Sequence, residues 1–207
     1  VPVGASLESL VSGRFASQWV ETRGVVRAAT NIAGEIQIDL ADRGSKTKVW
    51  LLGSGRSKSL TNFIDAAIRF RGVSGTHFDE RRKLVGFHLF VSSPDQIQME
   101  KPPPSDPFAI PTRQISNLLR FIPEAGENHR IKIEGGVTLQ RPGRLLFVQD
   151  ETGPLLIETK LSESVQSGDK VQVIGFPASA HPSLVLQDSV FRRVGATNPP
   201  TPEAISD

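Results

Sequence analysis

One pattern occurs twice in this chain, and it constrains the fold more than any other feature. Its fuller copy runs from Ile131 to Gly153, IKIEGGVTLQRPGRLLFVQDETG. Ile131, Ile133, Gly135, Val137 and Leu139 fall at every second position, with Lys132, Glu134, Thr138 and Gln140 between them. That alternation predicts a strand with one buried face. Arg141-Pro142-Gly143 breaks the run as a turn. A second strand, Leu145 to Gln149, ends at Asp150-Glu151-Thr152-Gly153. There a short Asp or Thr side chain can bond nearby backbone N–H groups, and Gly153 can take positive φ. Arg23-Gly24-Val25-Val26 answers Glu134-Gly135-Gly136-Val137. Ile36 to Gly44 answers the strand and turn ending at Gly153. Ile68-Arg69-Phe70-Arg71-Gly72-Val73 answers Val171-Gln172-Val173-Ile174-Gly175-Phe176. Three segments matched in the same order, roughly 103 to 111 residues apart, define a domain-sized internal repeat.

A length of 207 residues suits two such units, each able to bury a modest core. The absence of Cys excludes disulfides, thiolate metal sites and thiol chemistry. No apolar run reaches the roughly 18 residues that span a bilayer, and no signal-peptide pattern is present. The chain begins at Val1 and its one Met is Met99, so it reads as a processed or excised piece of a longer product. Residues 1–97 carry 13 Lys/Arg against 9 Asp/Glu, and residues 98–207 carry 11 against 13. Neither half has the basic excess of a dedicated nucleic-acid binder.

A short leading helix is expected at Ser6 to Val11, with Leu7, Leu10 and Val11 on one face. Strands follow at 19–27, 35–41, 46–52, 66–73 and 83–91. In the first, Val20, Thr22, Gly24 and Val26 face inward while Trp19, Glu21, Arg23 and Val25 face out; in the second, Ile36, Ile38 and Leu40 face inward. Ala28 to Ala33 reads as an insertion, and Gly53 to Ser59 as a surface loop without Walker spacing. Six prolines between Ser93 and Thr112 predict an extended spacer. The second unit repeats the leading helix at Ile115 to Ile122, shortens its middle connection, turns at Gly168-Asp169 and ends on a strand from Leu184 to Val194. The units are therefore placed at 1–97 and 113–195, with a linker at 98–112 and a tail without a core pattern at 196–207. Five short strands per unit predict a mainly β chain of two tandem five-stranded Greek-key barrels of the oligonucleotide/oligosaccharide-binding (OB) type, each with a leading helix. A small sandwich is the alternative.

The strand ending in Gly-Val or Gly-Gly-Val, followed by Arg-Leu-Leu-Phe-Val-Gln-Asp-Glu-Thr-Gly, resembles the tandem OB-like modules in the extracytoplasmic sensor regions of bacterial histidine kinases. The likeness covers Ile115 to Val194 well and the first unit loosely, where Leu40-Ala41-Asp42-Arg43-Gly44 replaces the motif. It implies a non-catalytic, periplasmic sensor region of a membrane-anchored receptor, with the kinase outside this chain and a small ligand or a protein as partner.

Aligning Asp42 with Asp150 puts Leu146 and Val148 inside and leaves Leu145, Phe147 and Gln149 outward, on the face where OB barrels bind. Arg69, Arg71, Arg81, Arg82 and Lys83 form the densest basic group. With Phe78 and Phe87 they carry the alternative expectation, a tandem single-stranded nucleic-acid binder. Asp79 and Glu80 oppose it, as local ion partners. His77 and His181 hold matching loop positions, but His77, His88, His129 and His181 form no metal-ligand spacing. Asp42, Asp150 and Glu151 read as turn residues. No catalytic arrangement and no cofactor set stands out.

Overall fold

The computed structural model describes residues 1–52, 63–78, 81, 83–120, 129–180 and 183–197, excepting the side chains of residues 77, 84, 85, 119, 120, 180 and 183. The chain divides into two compact units, parted between Ser105 and Asp106, each with its own apolar core.

In the first unit β1 (Val3–Gly4) and α1 (Leu7–Val11) precede β2 (Trp19–Ile32), β3 (Glu35–Asp42), β4 (Ser45–Leu51), β5 (Ala67–Phe78), β6 (Leu84–Val91) and β7 (Ile97–Lys101). The order β2-β3-β4-β6-β5 closes through pairing of β2 with β5, and β4 runs parallel to β6. In the second unit α2 (Ile115–Arg120) precedes β8 (Ile131–Arg141), β9 (Leu145–Asp150), β10 (Gly153–Thr159), β11 (Asp169–Ala180) and β12 (Ser183–Ala196). These close in the order β10-β12-β11-β8-β9, with β10 parallel to β12. Counting within each unit, both orders are 1-2-3-5-4-1. Both units are thus OB-like Greek-key barrels.

The expected inward residues fill the cores. Ile36, Ile38 and Leu40 are buried, as are Leu146 and Val148. Arg43-Gly44 and Ala33-Gly34 both take positive φ as two-residue hairpin turns, the geometry that matches strand twist. The supposed insertion at Ala28–Ala33 is simply the far arm of such a hairpin. Leading helices cap both barrels: Leu7 and Leu10 enter the first core and Ile115 and Leu118 the second. Val11 is exposed instead, on the far side of its one-and-a-half-turn helix.

Three further expectations need correction. Leu139, placed inside by alternation, is 53% exposed. A register shift between Val137 and Leu139 inserts one unpaired residue and turns everything beyond it to the other face. The first barrel carries the same irregularity at the aligned place, between Val26 and Ala28. Val25, expected outside, is only 5% exposed, at the point where β2 pairs with both β3 and β5.

The third correction concerns residues 98–112, which are not a free spacer. β7 continues along β5 beyond the end of β6. The second barrel covers the matching length with the single strand β12. Pro94, which has no N–H to give a ladder, opens a short 3-10 turn that breaks the strand in the first unit. Further on, Lys132 donates from Nζ to the Phe108 carbonyl at 2.7 Å. The Arg192 guanidinium lies 4.4 Å over the Phe108 ring, and Thr112 bridges to Lys132. This half of the stretch is packed on the second barrel.

Candidate functional site

The repeated turn comes first, because it holds the second barrel together rather than reacting. Asp150 accepts from Thr152 N–H at 2.7 Å, Thr152 Oγ1 at 2.6 Å and Gly153 N–H at 3.0 Å through one oxygen, and from Ile115 N–H at 2.8 Å through the other. Thr152 Oγ1 in turn accepts from Ser116 N–H at 2.9 Å. The turn thereby caps the start of α2. Burial alone pushes the Asp150 carboxyl up, but these hydrogen bonds outweigh it and hold the group below its ordinary range. The first unit caps α1 differently, with Ser6 accepting from Ser9 N–H.

Arg69 and Arg71 do share the outer face of β5, but carboxylates meet them there. Arg71 Nε donates to Glu21 at 2.7 Å. Arg69 reaches Glu21 at 3.3 Å and Glu100 at 2.7 Å. The hydrogen bond from Arg71 holds the Glu21 carboxyl below its usual range. The second barrel has a matching ladder: Gln172 bonds Glu134 at 2.8 Å, Arg192 bonds Gln172 at 2.8 Å, and Lys170 pairs with Glu134 at 2.7 Å. The bonds from Lys170 and Gln172 lower the Glu134 carboxyl. So this surface is a cross-strand polar ladder in both copies. Arg81 is exposed beyond the end of β5. Arg82, the side chain of His77, His181, and the loop at 53–59 lie outside the described residues. Phe78 is exposed. Phe87 is half-buried, with its ring packed where a Cβ on Gly13 would stand.

On the outer face of β9, Leu145 and Phe147 are half-buried and Gln149 is exposed. Phe147 lies opposite the outward-turned Leu139 on one side and Leu156 on the other. The aligned place in the first barrel is polar: Asp39, opposite Ala28, holds Lys48 at 2.9 Å.

Alternation alone missed the group that distinguishes the first barrel. Trp50 points outward from β4, between inward Val49 and Leu51. Parallel pairing sets Lys48 beside His88 and Trp50 beside Phe90. Trp50 donates from Nε1 to His88 Nδ1 at 3.0 Å. The Trp50 and His88 ring centroids are 6.3 Å apart, and those of His88 and Phe90 are 6.5 Å apart. An indole nitrogen only donates, so His88 Nδ1 accepts and carries no hydrogen here, and the ring's proton sits on Nε2. The line continues: Phe90 faces Val73 and Val73 faces Trp19, and Val73 and Trp19 are exposed. From Trp50 to Trp19 this crosses three strand spacings, about 14 Å. The outward phase of Trp50 and of His88 and Phe90 is readable in the sequence; their adjacency is not.

Fold and site define a class: a chain of tandem OB-like barrels with an aromatic outer face on the first. No protein-family model matches the chain, and no curated protein does. Among solved structures it is similar to a putative aspartyl-tRNA synthetase from Leishmania major Friedlin, with 9% identity over 56% of this chain and 24% of that chain, at a TM-score of 0.39. It is similar to the tetrameric p202 HIN2, with 10% identity over 86% of this chain and 97% of that chain, at 0.34. It is similar also to a murine DNA-binding protein bound with double-stranded DNA, with 17% identity over 88% and 99%, at 0.34. The chain spans about a quarter of the synthetase's length. The resemblance drawn from the repeat holds at the level of the OB-like barrel, and nothing in these comparisons indicates a sensor-kinase region. Among the described residues no helix is long and apolar enough to cross a membrane.

Proposed function

We propose that this chain is a non-catalytic binding protein whose first barrel holds single-stranded nucleic acid by stacking bases on its outer face. The observation that supports this reading is the ring group Trp50, His88 and Phe90 on β4 and β6; β4 is the third strand of the barrel and one edge of the strand two and three face where OB barrels bind. Stacking on such rings tolerates any base and is worth about 1–3 kcal/mol per base. Lys48, held by Asp39, and exposed Lys46 are the nearby cations on β4. The basic edge at Arg69 and Arg71 has no part in this reading, because Glu21 and Glu100 already neutralise it.

The test is titration of the chain with single-stranded oligonucleotides at low salt, read by Trp fluorescence. Quenching on binding is expected, with affinity reduced about tenfold or more in Trp50→Ala. Absence of binding at low salt, or an affinity unchanged by Trp50→Ala, defeats the proposal.

A further inference from the structure

The repeat offers an internal control for surfaces, since each barrel shows what the other's fold does without. On the outer face of its first three barrel strands, the first unit carries the row Ala28, Asp39 and Lys48, with the last two ion-paired. The aligned row in the second unit is Leu139, Phe147 and Leu156, on β8, β9 and β10. Leu139 is 53% exposed, and Phe147 and Leu156 are half-buried. A barrel of the same topology closes with a polar row at this place, so folding does not require the apolar one. The bulge before Leu139 is what turns that leucine onto the face.

In the next outward row, Arg141, Leu145 and Glu158 lie side by side on the same three strands. Arg141 and Glu158 are exposed at opposite ends of the row, with half-buried Leu145 between them. Among the described residues no hydrogen bond or ion pair holds either charged side chain. This order of groups is self-complementary. A twofold axis that runs along β9, midway between two facing copies, lays β8 of one copy on β10 of the other. It sets Arg141 against Glu158 twice and Leu139 against Leu156 twice, and it sets Phe147 and Leu145 each against its own counterpart. Both charges are then matched and the apolar row is covered.

We infer that this face of the second barrel is where two copies of the chain associate, as a symmetric dimer about an axis along β9. Charge complementarity selects a second copy as the occupant, because the face presents at each end the opposite of the charge at its other end. The axis also keeps the strands of the two sheets nearly aligned, as in ordinary sheet-on-sheet packing. Three strands of about six residues make a face of about 14 by 20 Å, smaller than a standard interface. The expected association is therefore weak, with a Kd between about 10 μM and 1 mM. This inference stands apart from the nucleic-acid reading, which concerns the other barrel.

The experiment is sedimentation of the full chain, free of nucleic acid, at concentrations from about 10 μM to 1 mM. The mean mass should rise toward that of a dimer with concentration. Leu139→Asp, at an exposed position that leaves the core alone, should weaken association about tenfold or more. Arg141→Glu and Glu158→Arg should each weaken it about fivefold or more, because each sets like charges together twice. An equimolar mixture of those two variants should regain the parent affinity to within about threefold, since both charge contacts across a mixed pair are again opposite in sign. Such a rescue cannot come from variants that fail to fold. A parent chain that stays monomeric, variants that associate as the parent does, or a mixture that does not recover overturns the inference. So does a monomeric chain whose oligonucleotide affinity falls in Leu139→Asp, a result that gives the face to nucleic acid.

Discussion

Replacing Asp150 by Ala isolates what the repeated turn contributes. The carboxylate accepts from three backbone N–H groups, including that of Ile115 at the start of α2, and from the Thr152 hydroxyl. Bonds to a charged acceptor contribute about 1.5–3 kcal/mol each when buried. This turn is half-buried, and water replaces part of what is lost. A single exposed cap is worth about 1 kcal/mol. Three backbone donors sharing one carboxylate then give about 2–4 kcal/mol for Asp150→Ala, a large share of a small domain's stability. At about 4–8 °C per kcal/mol, the second barrel should melt at least about 8 °C lower. The assay follows from the sequence: the chain's two Trp are Trp19 and Trp50, both in the first barrel. Trp emission reports that barrel, and calorimetry reports both. The variant should displace a calorimetric transition and leave the Trp transition in place. Thr152→Val, which removes the acceptor of Ser116 N–H, should cost about 1 kcal/mol in the same transition. A displacement under about 3 °C for Asp150→Ala, or an equal shift in Trp emission, would refute the assignment of this turn as the clamp of α2.

Acid should act on the second barrel first. Glu134, Asp150 and Asp169 there all have lowered carboxyl pKa values, the last from the Gln166 N–H and Arg193, so their stabilisation is complete above the unfolded range near pH 4 and lost as pH falls through the folded values. Calorimetry and Trp emission followed against pH should show calorimetric loss before Trp change. Gly135→Ala drives a Cβ to 2.5 Å from the Gln149 carbonyl and should cost about 1–3 kcal/mol; chemical denaturation of that variant beside Gly136→Ala, which meets only a side chain, should show the second as the milder. Oligonucleotide affinity should fall gently with salt, with a logarithmic slope no steeper than about −2, because the Arg69 and Arg71 charges are already matched. A steep slope in the same titration would return the binding site to the basic edge.

Alternation of apolar residues is a local property, and it carried far. It placed the five strands of the first barrel and four of the second, put Ile36, Ile38, Leu40, Leu146 and Val148 inside, and turned Phe147 outward, all from residues two apart; the strand Gly153–Thr159 was not placed. The repeat then predicted two barrels of one topology, since matched strands in matched order bury the same pattern. It could not see an extra residue that leaves the pattern intact: the bulge before Leu139 reverses a side chain without altering the spacing of apolar letters.

What tertiary structure alone decided is which outward residues become neighbours. Barrel closure laid β4 beside β6 across some 40 residues of chain and gathered Trp50 with His88 and Phe90. It set Glu21 and Glu100 against Arg69 and Arg71, turning an apparent basic patch into a neutral ladder. It also drew the Pro-rich stretch onto the two barrels. Each of these depends on register between strands distant in sequence, which is settled when a sheet closes on itself around a packed core and has no signature in any single strand.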